Sequence, residues 1–310
     1  MTIQSSKRGS SLLIVLWAVV MMAVCVLGLV EYVYSNLDET TTLAKDSRAY
    51  QLALSGIALG LHPLVLRGDP VLKQVIAPGE VVEAHLRSEG GRLNINTVLL
   101  NKNWSVLENL FLTWGLHEGD VANVVNSFQA WSSPRLGASG GALAIQPPNT
   151  VAGETGTAAV QPAQPVRIFQ SVDEMLTIPG MDLVAGVKPD WKDYFTIWSD
   201  GGLDMNDAPA DLISAVCGVS MLRADELVNV RLGPDGKRDT DDDVTFKTLD
   251  EVRALLGMSQ DEFSRIQGQL SLQDSTIRIE STGSFGAYQR MITAVVRRNT
   301  SPPTFLQWQE

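Results

Sequence analysis

The sequence contains little cysteine and little histidine, and each shortage excludes a class of protein. Its 2 cysteines cannot build a disulfide framework, because Cys25 lies in a long apolar run and Cys217 lies far outside it. The 3 histidines, His62, His85 and His117, stand in unrelated segments and form no H-E-x-x-H metal motif. The sequence therefore gives little support to an enzymatic function.

Basic residues are also scarce, which limits the partners that the chain can have. The 24 Lys and Arg face 35 Asp and Glu, giving a formal net charge of −11. Lys7 and Arg8 precede the apolar run, so the part beyond it carries 22 basic and 35 acidic residues, a charge of −13. Such a surface repels nucleic-acid phosphates and anionic lipid, and it is compatible with cationic partners or a divalent ion.

No charged residue interrupts the run from Leu12 to Val30. A helix of about 19 apolar residues can cross a hydrocarbon core of about 30 Å. Lys7 and Arg8 precede it and Glu31 follows, which predicts a cytoplasmic N-terminus with the rest of the chain across the membrane. A cleaved signal peptide is the alternative, although its apolar core is usually about 7–15 residues long.

An apolar stripe at helical spacing continues beyond the run to the break at His62-Pro63. We therefore predict one long N-terminal helix over residues 10–62, of which about 12–30 span the membrane. A chain of 310 residues is too long for a helix and one small head, so a further domain is expected.

Two parts of the sequence occur twice. Gly90–Thr97 resembles Gly201–Asp207 with one residue deleted, and Ser171–Met181 resembles Thr248–Met258. Both copies of the second part begin with Ser or Thr followed three residues later by Glu, which predicts a helix capping box in each. These elements predict a duplicated structural unit rather than a chemical site.

The segment from Asn206 to Val252 looks like a helix-hairpin-helix unit, a motif that often binds DNA. Its hairpins read Gly218-Val219-Ser220 and Gly257-Met258-Ser259, and acidic residues flank both. DNA binding requires a Gly-x-Gly hairpin with basic neighbours. We therefore interpret the helical hairpins as a scaffold.

An acidic loop from Gly233 to Asp243 is the densest polar cluster in the sequence. Its carboxylates are those of Asp235, Asp239, Asp241, Asp242 and Asp243. Ca²⁺ takes six to eight oxygen ligands from a flexible loop, which such a cluster can supply, although the spacing is not that of an EF-hand. The alternative is a solvated loop that Lys237 and Arg238 partly neutralise.

The N-terminus resembles that of type IV prepilins and type II secretion pseudopilins. The matching features are a basic leader (1–9) ending in Gly9, the small residue Ser10, and the apolar helix. The resemblance implies cleavage by a prepilin peptidase between Gly9 and Ser10 and methylation of the new N-terminus. The fifth mature position, normally Glu, is Ile14 here, a departure that is similar to the minor pseudopilin K (general secretion pathway protein K) family.

That resemblance implies an α+β fold in which the long helix packs on a small antiparallel pilin-like sheet. The predicted sheet segments are 78–88, 190–200 and 275–298, the last containing a hairpin that turns at Gly283–Gly286. An inserted α-helical domain with helix-hairpin-helix-like repeats would occupy 89–189 and 201–274, with a flexible loop over 132–165. Calcium in that domain is a family expectation, although Ser132-Ser133-Pro134 stands where relatives tend to carry aspartates.

The implied function is to initiate a periplasmic pseudopilus and cap its tip, supporting protein export across the outer membrane. The implied partners are the minor pseudopilins I and J, other pseudopilins, the prepilin peptidase and the inner-membrane assembly platform. The implied location is the bacterial inner membrane, single pass, with the bulk periplasmic. Two alternatives stay open: a type IV pilus minor pilin acting as an adhesin, and a calcium-dependent periplasmic binding protein on a simple anchor.

Overall fold

A helix of 54 residues, α1 (Arg8–Leu61), dominates the computed structural model, which describes residues 8–138 and 168–310. At about 1.5 Å per residue it is roughly 80 Å long. Its segment Leu13–Val33 is long and apolar enough to cross a membrane, and none of it is buried in the protein. From Ala49 onward one face of α1 is buried, and the helix ends just before Pro63. The prediction of one continuous helix is confirmed.

The second half of α1 packs on a five-stranded sheet in the strand order β1-β2-β7-β8-β9, with every pair antiparallel. The strands are β1 (Lys73–Ala77), β2 (Glu80–Ser88), β7 (Thr276–Phe285), β8 (Tyr288–Arg297) and β9 (Thr304–Gln309). Ile279, Ile292 and Val296 form the apolar layer beneath the helix. This helix and sheet form the head.

The predicted hairpin is β7–β8, but its turn lies two residues later than predicted, at Phe285–Tyr288 instead of Gly283–Gly286. Gly283 and Ser284 are part of β7, and the chain reverses after Phe285. Gly283 is needed inside the strand, because a Cβ there would overlap the backbone of α1 at Ala49 and Ala53. The glycine permits close approach of helix and sheet rather than a turn.

β2 and β7 are hydrogen-bonded neighbours, and the whole helical domain lies in the chain between them. Its longer elements are α2 (Ile95–Leu100), α3 (Trp104–Thr113), α4 (Glu118–Ala138), α5 (Met181–Val187), α6 (Ala210–Cys217), α7 (Met221–Arg231), α8 (Leu249–Leu256) and α9 (Gln260–Ile266). They enclose one apolar core in which Phe111, Phe128 and Trp191 are fully buried. The α+β fold class with an inserted helical domain is confirmed.

The prediction that 190–200 belongs to the head sheet is wrong. Only Phe195–Thr196 is extended there, as β4, and it pairs in parallel with β3 (Leu93–Asn94) inside the helical domain. Its aromatic residues are core residues of that domain, since Trp191 and Phe195 are both buried there. High β propensity in this segment reflects packing against helices rather than membership of the sheet.

The predicted flexible loop over 132–165 begins too early. α4 continues to Ala138, and residues 139–167 lie outside the described part of the chain. Ser132 is fully buried, and Trp131 stacks on Phe169 with ring centroids 4.2 Å apart. These contacts fix the helix beyond the point where composition predicts its end.

The internal repeat is confirmed by equivalent hydrogen bonds. Asn96 in the first copy accepts from the backbone N–H groups of Ile168 and Phe169, at 3.0 and 2.7 Å. Asn206, the matching residue of the second copy, accepts from the N–H of Phe246 at 2.8 Å. The copies also share a two-residue parallel pairing, β3–β4 in one and β5 (Leu203–Asp204) with β6 (Leu270–Ser271) in the other.

The capping-box prediction is wrong at Ser171 and half right at Thr248. Ser171 makes no side-chain cap, because the residues after it form a 3₁₀-helix, Val172–Thr177. Thr248 caps α8 by accepting from Glu251 N–H, but the Glu251 carboxylate accepts from Lys247 rather than from the cap residue. A complete capping box occurs instead at Ser259, at the start of α9.

Candidate functional site

The predicted processing site and the membrane segment lie on one helix. Gly9 and Ser10 are in the first turn of α1, whereas residues 1–7 of the predicted leader lie outside the described part of the chain. Ile14 follows in the apolar segment with its side chain 67% exposed. Ile14 is uncharged, so residues 13–30 of this apolar segment contain no carboxylate. Cleavage at Gly9 stays a prediction.

The acidic loop follows α7, and most of its carboxylates are engaged by the loop's own backbone and side chains. Asp242 accepts from the Thr240 hydroxyl at 2.8 Å and from the Asp235 N–H at 3.1 Å. Asp235 in turn accepts from the Lys237 N–H at 2.7 Å. Asp241 is exposed at the edge of the loop. These hydrogen bonds account for the local conformation of the loop.

Asp239 is the exception, because it points away from the other aspartates toward the head. Its carboxylate binds Arg67 at 2.8 Å, Arg87 at 2.8 Å and His85 at 3.3 Å. The residue has a positive φ of 64°, a strained conformation outside glycine that aims the side chain at β2. Burial opposes its ionisation, but the hydrogen bonds from Arg87 and Arg67 outweigh it and lower the pKa of Asp239 to about 2.

Asp207, the last residue of the Gly201–Asp207 copy, makes a similar set of contacts. Its carboxylate pairs with Arg67 at 3.0 Å and Arg238 at 3.1 Å, and it accepts from the Ser88 N–H at the end of β2. Arg67 therefore bridges Asp207 and Asp239. We refer to Arg67, His85, Arg87, Asp207 and Asp239 as the domain clasp, since it joins the head to the helical domain.

The five aspartates predicted as calcium ligands do not converge. Across residues 8–138 and 168–310, no group of three or more His, Cys, Asp or Glu side chains is placed to hold a metal ion. Asp239 is already neutralised by two arginines, so it fits a calcium site poorly. Asp243 is a better candidate calcium ligand than Asp239, because its Oδ1 is buried without a hydrogen-bond partner. Its Oδ2 accepts a hydrogen bond from the Asp239 N–H at 2.8 Å. Calcium binding stays a prediction, and it concerns the loop without Asp239.

The helical hairpins and the three histidines lie on separate elements of the fold. Gly218 and Gly257 end α6 and α8 in the left-handed conformation, each with φ 66°, and turn the chain into the next helix. His62, His85 and His117 lie after α1, on β2 and before α4. The predicted hairpins are confirmed as structural elements.

The domain clasp is the part of this region that the sequence did not predict. Its arginines are separated from Asp239 by more than 150 residues, so no local pattern links them. A partial signal existed, because His85 and Arg87 occupy alternate positions of β2 and must face the same side of the sheet. The sequence gives no indication of which carboxylate they meet.

Comparison with known proteins was made against sequences and against structures. No protein-family model matches the sequence, and no curated protein matches it. The structure is similar to a chain in the crystal structure of the GspK-GspI-GspJ complex from the enterotoxigenic Escherichia coli Type 2 Secretion System. The similarity has a TM-score of 0.53 at 12% identity, and it covers 89% of this chain and 98% of that chain.

This chain has a GspK-like fold. In this chain the fold is a mixed α+β organisation with an N-terminal helix, a small antiparallel sheet and further helices. The likeness extends over nearly all of both chains, so it includes the inserted helical domain as well as the head. The pseudopilin fold implied by the sequence resemblance is therefore confirmed.

Proposed function

We propose that this chain is a minor pseudopilin of a type II secretion system that initiates the pseudopilus and caps its tip. The main observation behind the proposal is a single helix that makes no buried contacts over Leu13–Val33 and packs on a pilin-like sheet over its second half. Pilin-type subunits need both parts: an apolar helix for the membrane and fibre core, and a head outside it. A helical domain inserted between β2 and β7 distinguishes this head from a small one.

Ile14 supports a position at the start of the fibre. A carboxylate within a membrane helix costs about 2.5–3.5 kcal/mol on insertion scales unless something pairs with it. In related pilins, the sequence resemblance implies that a Glu at this position pairs with the N-terminal ammonium of the adjacent subunit. Ile14 cannot do so, and this chain would therefore not be drawn onto an existing filament by that attraction.

The proposed partners are minor pseudopilins of the I and J types, together with the other pseudopilins of the shaft. The structural neighbour was solved in a complex with GspI and GspJ, which supports this choice. We further propose a prepilin peptidase as processing enzyme, the inner-membrane platform as assembly site, and an inner-membrane location with the head in the periplasm. The role is architectural. A type IV pilus minor pilin acting as an adhesin is the less favoured alternative.

The processing step offers a direct experiment. The substitution Gly9→Val places a β-branched side chain at the proposed cleavage determinant, so the full-length precursor should accumulate in the inner membrane. Intact-mass measurement of the wild type should show a chain that begins at methylated Ser10. The matched control is Gly28→Val, since a Cβ there meets nothing within 4 Å, and this variant should be processed normally. A Gly9→Val chain that still begins at methylated Ser10 would contradict the pilin assignment.

A further inference from the structure

A cleft of about 510 Å³ lies between the outer face of the head and the helical domain, and its walls are rich in arginine. The arginines that line it are Arg87, Arg92, Arg231, Arg238 and Arg278. They come from β2, the turn after it, the end of α7, the acidic loop and β7. Asp190, Asp193, Asp207 and Glu280 line it as well, so the cleft has mixed charge and its arginines outnumber its acidic residues by one.

Four of the five arginines already have a carboxylate partner: Arg87 pairs with Asp239, Arg92 with Asp193, Arg238 with Asp207, and Arg278 with Glu89 and Glu280. The side chains of Asp193 and Asp190 are 74% and 54% exposed, and Asp190 is paired with Lys188 outside the cleft wall. The Arg278 and Arg92 side chains are 13% and 19% exposed. Of the acids lining the cleft, Asp207 is the buried one, and the domain clasp already engages it.

Arg231 is the most deeply buried arginine in the cleft, at 4% exposure. Its Nη1 donates to two backbone carbonyls, those of Met205 and Ala208, at 3.0 and 2.9 Å. Its Nε is buried without a hydrogen-bond partner, and within the described residues no carboxylate forms an ion pair with it. A buried charge of this kind is costly unless an opposite charge compensates it.

The arginines also repel one another. Burial, followed by the charge of Arg238, lowers the pKa of Arg231 to about 10. Burial, followed by the charge of Arg278, does the same for Arg92, whose pKa is also about 10. An anion between these side chains would relieve both the desolvation and the repulsion.

We propose that this cleft binds a small oxyanion of the phosphate, sulfate or carboxylate class. Guanidinium groups present paired N–H donors in a fixed fork that matches two oxygens of such an anion. The volume of the cleft falls within the range of about 300–1,000 Å³ typical of small-molecule sites. The ligand would contact Arg231, the arginine of the cleft that has no carboxylate partner among the described residues, and Arg92, whose partner Asp193 is exposed.

The test is isothermal titration calorimetry on the full chain in a nonionic detergent. Inorganic phosphate and, in a second arm, citrate are titrated at constant ionic strength, with sodium chloride as the matched salt. Saturable binding of either anion is expected in the wild type. Arg92→Gln should raise the Kd about tenfold, since a hydrogen bond to a charged group contributes about 1.5–3 kcal/mol. Arg238→Gln, at a more exposed position, should act in the same direction.

The control is Arg223→Gln, which removes an exposed arginine from the same helix as Arg231, where it pairs with Glu226. It should keep the wild-type affinity. The proposal is overturned if neither anion binds saturably, or if both cleft variants bind as tightly as the control. Thermal melting identifies a variant that does not fold, and should Arg92→Gln be one, Arg238→Gln decides between the outcomes.

Discussion

At the scale of single residues, the aspartates of this chain occupy very different environments. Asp239 lies between two arginines and its pKa is lowered to about 2, whereas Asp274 is held between backbone N–H groups where burial raises its pKa to about 6. Asp241 is exposed in the same loop as Asp239. Each environment depends on which distant segment packs against the carboxylate, so equal residue types contribute differently to stability.

The first prediction concerns the domain clasp. Asp239→Asn should lower the free energy of unfolding by about 1.5–3 kcal/mol, because Arg67 and Arg87 lose the carboxylate that both of them bind. Denaturant unfolding of the full chain, in detergent with a chelator present, measures the loss. Asp241→Asn is the matched control in the same loop and should stay within about 0.5 kcal/mol of the wild type. Equal stability of the two variants would show that the clasp does not join the domains.

The second prediction concerns pH and Asp274, at the end of the helical domain. Burial raises its pKa from 3.8 to about 6, against the hydrogen bonds donated by the N–H groups of Thr276 and Asp200. A carboxyl group whose pKa is higher in the folded state stabilises the fold most below pH 3.8. That contribution is lost as the pH rises through about 6.

The wild type should therefore lose about 1–2 kcal/mol relative to Asp274→Asn between pH 4 and pH 7. The figure is reduced from the full linkage value because the carboxyl group keeps partial contact with solvent. Unfolding of both proteins in parallel at several pH values isolates the contribution of this residue, since other groups titrate equally in each. A difference that is independent of pH would contradict the assignment.

At the scale of elements, the sequence predicted those helices and strands whose formation depends on a local pattern of apolar and polar residues. The long helix α1 follows from an uninterrupted apolar run, a continuing stripe and the break at Pro63. The β7–β8 hairpin follows from alternation, and the repeat from direct comparison. The edge strands β1 and β9 were missed, because a short exposed strand shows little alternation of buried and exposed residues.

Placement of elements depended on tertiary contacts and was less predictable. Phe195–Thr196 has the composition of a sheet strand but pairs with β3, because its aromatic neighbours fill the helical core. Within the candidate site, composition located the acidic loop. Which of its aspartates binds the head depends on Arg67 and Arg87, which contact Asp239. Contacts across more than 150 residues leave no trace in a local pattern.

The third prediction concerns calcium binding by the acidic loop. If it binds Ca²⁺, the ion should stabilise the folded chain by about 2.7 kcal/mol at a hundredfold excess over Kd, so the melting temperature should rise with calcium and not with magnesium. The double variant Asp241→Asn with Asp243→Asn should lose the response, since it removes the exposed carboxylate and the one with a buried free oxygen. Asp250→Asn, on α8, is the control and should retain the response. An unchanged calcium shift in the double variant would locate the ion elsewhere.

At the scale of the whole molecule, the helix, the head and the inserted domain together suit a terminal position in a fibre. The exposed apolar segment of α1, Leu13–Val33, can lie in a membrane or in a fibre core. The head packs against the second half of the helix, one face of which is buried from Ala49 onward. The helical domain is inserted into the head between β2 and β7. Under the proposed function, we expect a domain of this size to obstruct a subunit stacked above it. Ile14 favours the same proposal, because it lacks the charge that, by the sequence resemblance, would recruit a subunit to an existing filament.

The most direct test of this account is the position of the chain in isolated pseudopili. A single label on the exposed face of the helical domain, for example at Leu222, can be located by electron microscopy of fibres assembled with the other pseudopilins. Growth from the membrane end keeps the first subunit farthest from the membrane, so the account predicts one label per fibre, at the distal tip. Labels distributed along the shaft would contradict it.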